Sequence, residues 1–132
     1  MNFGESILNF SLLHINPRLA NTLHQLILYL ETLSHTFHVI AVSEMCVNNV
    51  SYSLLNIPGY TSLTNYHTDR RGGGVAVYIH KSLAYKERGD LTTNITSNYE
   101  CVFADVQHSS FGTKVVGVIY RPLGTDVKLF YT

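Results

Sequence analysis

The chain has 132 residues, 45% of them hydrophobic and only 14% charged, with a formal net charge of zero. That length suits one domain with one core, and a charged fraction below the usual quarter predicts either much buried sheet or a face that something else covers. Neutrality argues against a stand-alone nucleic-acid binder, whose affinity comes largely from phosphate contacts, and no stretch is apolar for long enough to span a membrane as a helix.

Met1 to Phe10 lacks the basic start of a secretory leader. Ser6 to Ile15 reads as a first strand, ended by Asn16-Pro17. Proline cannot donate to a ladder and holds the residue before it extended, so Asn16 stands at the carboxyl end of that strand. A helix is predicted over roughly Ala20 to Ser34. Leu19, Leu23, Leu26, Ile27, Leu30 and Leu33 fall at helical spacing and form one apolar stripe for core packing. Asn21 or Thr22 could cap its start.

Phe37-His38-Val39-Ile40-Ala41-Val42-Ser43-Glu44 follows, a β-rich apolar run that ends on a carboxylate. A strand apolar along its whole length is one covered on both faces. Strand, helix, strand forms a βαβ unit whose two strand ends share a rim, which places Asn16 beside Glu44. In open α/β sheets that rim is where ligands bind. Glu44 then has two readings, a hard oxygen ligand for Mg²⁺ or a solvated strand end.

Val47 to Tyr60 is polar, with a turn at Pro58-Gly59, and Tyr60 to Tyr66 is a short strand. Gly72-Gly73-Gly74 leads into the apolar run Val75 to Ile79. A phosphate loop needs Gly-Lys-Ser/Thr leading into a helix; here the glycines lead into a strand, so they mark a tight turn or a close backbone approach. Arg70 and Arg71 could touch a phosphate backbone, but an exposed basic turn is the default. Leu83 to Ser97 reads as an irregular connection. Tyr99 to Val106 and Lys114 to Tyr120 are strands joined by a turn over Gln107 to Thr113, in the manner of an antiparallel meander. Arg121-Pro122 stops the last strand, so Tyr120 becomes a third polar group at a strand end. Asp126 to Thr132 begins a further helix. Cys46 and Cys101 form neither a disulfide framework nor a zinc site, and both are expected reduced in an intracellular chain, nuclear or cytoplasmic. Under that expectation the acceptor triplets at Asn49 and Asn94 have no glycan to carry. The seven histidines show no zinc spacing.

Leu13-His14-Ile15-Asn16-Pro17-Arg18, Val39-Ile40-Ala41-Val42-Ser43-Glu44, Ile57-Pro58-Gly59-Tyr60, Arg71-Gly72-Gly73-Gly74-Val75-Ala76-Val77-Tyr78-Ile79 and Gly117-Val118-Ile119-Tyr120-Arg121-Pro122 resemble, in order, blocks of the endonuclease/exonuclease/phosphatase family. The likeness is nearest to the apurinic/apyrimidinic-type endonuclease domain of non-LTR (LINE) retrotransposons. The resemblance spans nearly the whole chain but roughly the first half of the family's domain. It implies the N-terminal portion of a four-layer α/β sandwich of the DNase-I-like kind, with a mixed sheet and a βαβ start. It also implies Mg²⁺-dependent cutting of phosphodiester bonds in DNA, the nick that primes reverse transcription. Glu44 would be the metal ligand, Asn16 would orient that ligand or the phosphate, and Tyr120 would hydrogen-bond the phosphate.

The family's second half carries a Gly-Asp-Phe-Asn and a Ser-Asp-His segment, and these 132 residues contain neither; Gly89-Asp90-Leu91 is a decoy that precedes Tyr120. Pro17 replaces a hydrophobic residue and one position before Leu19 is lost. Met45-Cys46-Val47 stands where Thr-Trp-Leu is common, and His38 where an aspartate is. Errors of about an ångström at catalytic groups cost about a hundredfold in rate. The expectation is therefore a catalytic domain in ancestry that is inactive by itself. The alternatives are a retained binding or structural module that self-associates through an exposed sheet face, or another branch of the superfamily, a DNase-I-like nuclease or a phosphatase.

Overall fold

The computed structural model describes residues 10–16, 22–43, 56–65, 74–92 and 99–121. They form a mixed α/β fold of two sheets and few helices. The elements are β1 (Leu12–Ile15), α1 (Thr22–Thr32), β2 (Val39–Ser43), β3 (Tyr60–Asn65), β4 (Val75–His80), β5 (Ala84–Glu87), α2 (Gly89–Thr92), β6 (Glu100–His108) and β7 (Gly112–Tyr120).

The first sheet has the order β1-β2-β4-β3 and the second β5-β6-β7. β1 and β2 are parallel, joined through α1 as the βαβ reading expects, with Ile15 opposite Val42. β4 runs antiparallel to β2, with Ser43 opposite Val75, and β3 antiparallel to β4. The first sheet is therefore mixed. The second is an antiparallel meander, with Glu100 opposite Tyr120 and His108 opposite Gly112.

β2 and β4 are buried at every position, because each has a layer on both faces. Val39 and Ala41 of β2 join Val75, Val77 and Ile79 of β4 in a core shared with Val102, Ala104, Val106, Val116 and Val118 of the second sheet. Ile40, Val42, Ala76 and Tyr78 face the other way, against Leu26, Ile27 and Leu30 of α1. Each fully buried valine or isoleucine contributes about 1.5–3 kcal/mol. Helix, first sheet and second sheet are thus stacked on the two faces of one strand pair. On α1, Leu26, Ile27 and Leu30 of the predicted stripe pack inward while Leu28 and Tyr29 stay exposed. Leu19 and Asn21 lie outside the described residues, as do Cys46, Arg70, Arg71 and the expected helix after Asp126.

Most element boundaries shift by a residue or two, and β1 begins at Leu12, with Ser6 to Asn9 outside the described residues. One expectation is overturned. The connection predicted over Leu83 to Ser97 contains a strand, β5, and a single helical turn, α2. β5 is exposed at all four positions, so it lacks the buried face that a sequence pattern reports. It is held by its ladder to β6 and by Arg88, which donates two bonds to Asp90 (2.9 and 2.8 Å) and one to Asp105 (3.2 Å). These hydrogen bonds raise the guanidinium pKa and hold the Asp90 carboxyl below its usual range. At this exposure the pair fixes geometry more than it stabilises.

On the outer face of the second sheet, Phe103 lies opposite Gly117. A Cβ on Gly117 would sit 2.1 Å from Cδ1 and 2.9 Å from Cγ of the Phe103 ring, so the glycine is the space the ring occupies. Gly117→Ala is expected to lower stability by about 1–3 kcal/mol, the usual cost of overpacking, as read by urea unfolding. In a Phe103→Leu background the same change should cost clearly less; equal costs in the two backgrounds would contradict this packing account.

Candidate functional site

The rim at the carboxyl ends of β1 and β2 is built by register. Asn16 follows Ile15, whose partner Val42 precedes Ser43; Ser43 pairs with Val75; and Gly74, just before Val75, donates its N–H to Oε1 of Glu100 at 3.0 Å. Glu100 in turn pairs with Tyr120. The strand ends that carry Asn16 and Tyr120 therefore meet one edge of the sandwich, with the end of β2 between them. Glu44 lies outside the described residues; Ser43 is the last residue of β2. Asn16 is exposed, whereas Tyr120 is half-buried and packs against the core between the sheets.

Three side chains that the sequence did not mark contribute to this rim. His14 stands in the row of Leu12 and Asn16, and its Nε2 lies 3.0 Å from Oγ of Ser43, a buried hydroxyl on the face turned to the second sheet. Asn65, at the end of β3, donates from Nδ2 to the carbonyl of Cys101 at 3.2 Å and so ties the first sheet to β6. Glu100 is wholly buried. A buried carboxylate is costly unless hydrogen-bonded, and here it receives the N–H of a glycine whose φ is +88°. Gly74 adopts that left-handed conformation, which favours glycine, while Gly72 and Gly73 lie outside the described residues. His14 could have been noticed as the alternate neighbour of Asn16. Glu100 opens a strand rather than ending one, so a search of strand ends passes over it.

Among the described residues no group of three or more His, Cys, Asp or Glu side chains could hold a metal ion. Mg²⁺ does not demand such a group, since it is commonly held by one or two carboxylates and keeps several waters. The oxygen groups described at this rim, the Asn16 amide and the Ser43 hydroxyl, are neutral and neither is a carboxylate; Glu44 follows Ser43 in sequence and lies outside the described residues.

An apolar cavity among the described residues lies away from this rim. It measures about 160 Å³, between Ile27 and Leu30 of α1 and Phe37, Ile57, Pro58 and Tyr60. The Tyr60 hydroxyl donates to the carbonyl of Phe37 at 2.6 Å, and burial pushes its pKa up to about 12. That hydroxyl stays protonated and engaged, and it offers no acid–base chemistry. Burial likewise raises the Cys101 thiol, whose Sγ–H faces the carbonyl of Leu91 on α2, so it is a packing residue rather than a nucleophile.

No protein-family model matches the chain, and no curated protein matches it significantly.

Removing the buried carboxylate should loosen the rim. Glu100→Ala leaves the N–H of Gly74 without its acceptor and is expected to cost about 1–3 kcal/mol, with faster amide exchange at Gly74. Glu100→Gln keeps an acceptor oxygen and should cost less. If both substitutions cost the same and exchange at Gly74 is unchanged, the carboxylate does not anchor the glycine.

Proposed function

We propose that the chain is the first half of a Mg²⁺-dependent phosphodiester-cutting domain, of the kind found in the endonucleases of non-LTR retrotransposons, and that these 132 residues do not nick DNA by themselves. The observation that supports this most is the rim itself: the ends of β1, β2 and β7 come to one edge, and two of the three residues singled out by the family resemblance, Asn16 and Tyr120, stand there with the third, Glu44, next after Ser43. The layering of α1, first sheet and second sheet, with α2 packed on β6, agrees with the outer-helix arrangement of a DNase-I-like sandwich.

On this reading Glu44 holds the metal through one carboxylate with waters retained, and the bound metal supplies charge neutralisation on the phosphoryl oxygens. Asn16 offers its amide to that carboxylate or to a non-bridging oxygen, and the Tyr120 hydroxyl donates to the phosphate. His14, beside Ser43, adds a further polar group at this rim. The family assigns proton removal from the attacking water to its second-half histidine, whose segment is not among these 132 residues. Weak DNA affinity follows from the zero net charge.

A second reading, a non-catalytic module that pairs with another copy of itself, is favoured by one feature. Val115 and Ile119 on the outer face of β7 are 57% and 49% exposed, and β7 stands at the end of the described strand order. Light scattering separates the two readings, since a monodisperse monomer is incompatible with the second.

The nuclease reading is tested with Mn²⁺ as a paramagnetic stand-in for Mg²⁺. Line broadening is expected to be selective for Asn16, Ser43 and Tyr120, relieved by excess Mg²⁺ and lost in Glu44→Ala; broadening elsewhere, or none, would overturn it. In parallel, supercoiled plasmid with Mg²⁺ should stay intact, and nicking that disappears in Glu44→Ala would overturn the inactivity.

A further inference from the structure

The opposite rim carries three histidines held in one way. The N–H of Ser11 donates to Nδ1 of His38 at 3.1 Å, that of Ser82 to Nδ1 of His80 at 3.1 Å, and that of Ser110 to Nδ1 of His108 at 3.0 Å. A ring nitrogen that accepts from a backbone N–H must hold a free lone pair, so each of these bonds needs its Nδ1 unprotonated. Two of the three contacts are local. In His80-Lys81-Ser82 and His108-Ser109-Ser110 the imidazole accepts from the backbone two residues on, as an aspartate or asparagine does in an Asx-turn. The third joins the segment before β1 to the start of β2, where the Ser11 hydroxyl also lies 2.9 Å from Nδ1 of His38.

These histidines lie at neighbouring strand ends: His38 precedes β2, His80 ends β4 and donates its N–H to the carbonyl of His38 at 3.0 Å, and His108 ends β6. His38 is 1% exposed and His80 5%. An aromatic stack binds the rim across the two sheets. Phe111, in the β6–β7 turn, meets Phe10 at 5.2 Å, His38 at 5.3 Å and His108 at 5.5 Å, ring centre to ring centre, and Phe10 stacks on His38 at 5.6 Å. The titratable groups that bear on His38 are His108 from β6, His35 from the α1–β2 connection and His80 from β4. Tyr60 of β3 meets the ring of His80 at 5.4 Å, and Glu31 of α1 shares the apolar cavity with His35 and Tyr60.

We propose that this rim is an acid-sensitive latch: protonation of His38 and His80 at Nδ1 puts a donor against the N–H of Ser11 and of Ser82, opens the turn at His80 and releases Phe10 and Phe111, and with them the β6–β7 turn, from the first sheet. One proton added per ring replaces an acceptor by a donor facing a donor, and the two new charges repel one another inside a rim where both rings are buried. Burial, then the neighbouring histidines, lowers the His38 pKa from its ordinary 6.5, and burial lowers that of His80. The folded state therefore binds fewer protons than the unfolded one. The contribution is complete above the ordinary value and is lost as pH falls below it through the lowered values. The latch is closed at neutral pH and opens in acid.

Amide hydrogen exchange on the intact chain tests this, corrected for the intrinsic pH dependence of exchange. Protection at Ser11 and Ser82 should be level from pH 7.5 to the ordinary histidine value and then fall together toward pH 5, by about tenfold per pH unit for each proton taken up, while Ala41 and Val77 stay protected. The variant His80→Asn keeps an oxygen acceptor for its Asx-turn without a titrating ring, and its Ser82 amide should lose the acid response. Protection at the two serines that does not change with pH in the wild-type chain would overturn the proposal, whether or not the variant folds. So would an unchanged acid response in a variant whose circular dichroism at pH 7.5 matches the wild type.

Discussion

The antiparallel pairing of β2 with β4 is the constraint on which the rest depends. Both strands are apolar along their length and neither has a solvent face, so they can be accommodated only where a layer lies on each side. Alternate residues then serve two cores at once: Val39, Ala41, Val75, Val77 and Ile79 bind the second sheet, and Ile40, Val42, Ala76 and Tyr78 bind α1. Because the side-chain period is two, a slip of one residue would exchange the two sets and disrupt both cores. Register is therefore set by packing on two sides, and it fixes what stands at each end of the pair.

The two ends are finished in different ways. At one, backbone and side-chain hydrogen bonds cross between the sheets, from Gly74 to Glu100 and from Asn65 to Cys101, and the ends of β1, β2 and β7 reach the same edge. At the other, three imidazole Nδ1 atoms accept serine N–H groups and two phenylalanines meeting edge to face close the gap. The first end depends on a buried carboxylate with a fixed acceptor, the second on rings whose acceptor is removed by a proton. One fold thus carries, at one end of the pair, the rim proposed to meet phosphate and, at the other, the rim proposed to open in acid.

The buried strands were legible because a continuous apolar run has a single physical meaning once its length excludes a helix. The ends of β1 and β7 were legible because Pro17 and Pro122 cannot extend a ladder. β5 was not, since Ala84-Tyr85-Lys86-Glu87 buries nothing and is held by ladder bonds and by Arg88, neither of which leaves a periodic signal. Of the candidate site, the strand ends of Asn16 and Tyr120 could be placed from the chain alone, whereas Glu100 could not. Its role comes from a glycine 26 positions away that needs an acceptor. The histidines looked like scattered residues without metal spacing. Their shared signal, a histidine followed two residues later by a serine, occurs at His80 and His108, but the third pair joins Ser11 to His38 and shows itself only in three dimensions.

The most direct test of this account is a map of interstrand proton–proton contacts for β2 and β4 by nuclear magnetic resonance. The account predicts antiparallel contacts that place Ala41 opposite Val77 and Val42 opposite Ala76, together with a contact between the Gly74 amide and the Glu100 side chain. A pairing displaced by one residue, or a β4 that pairs elsewhere, would contradict it.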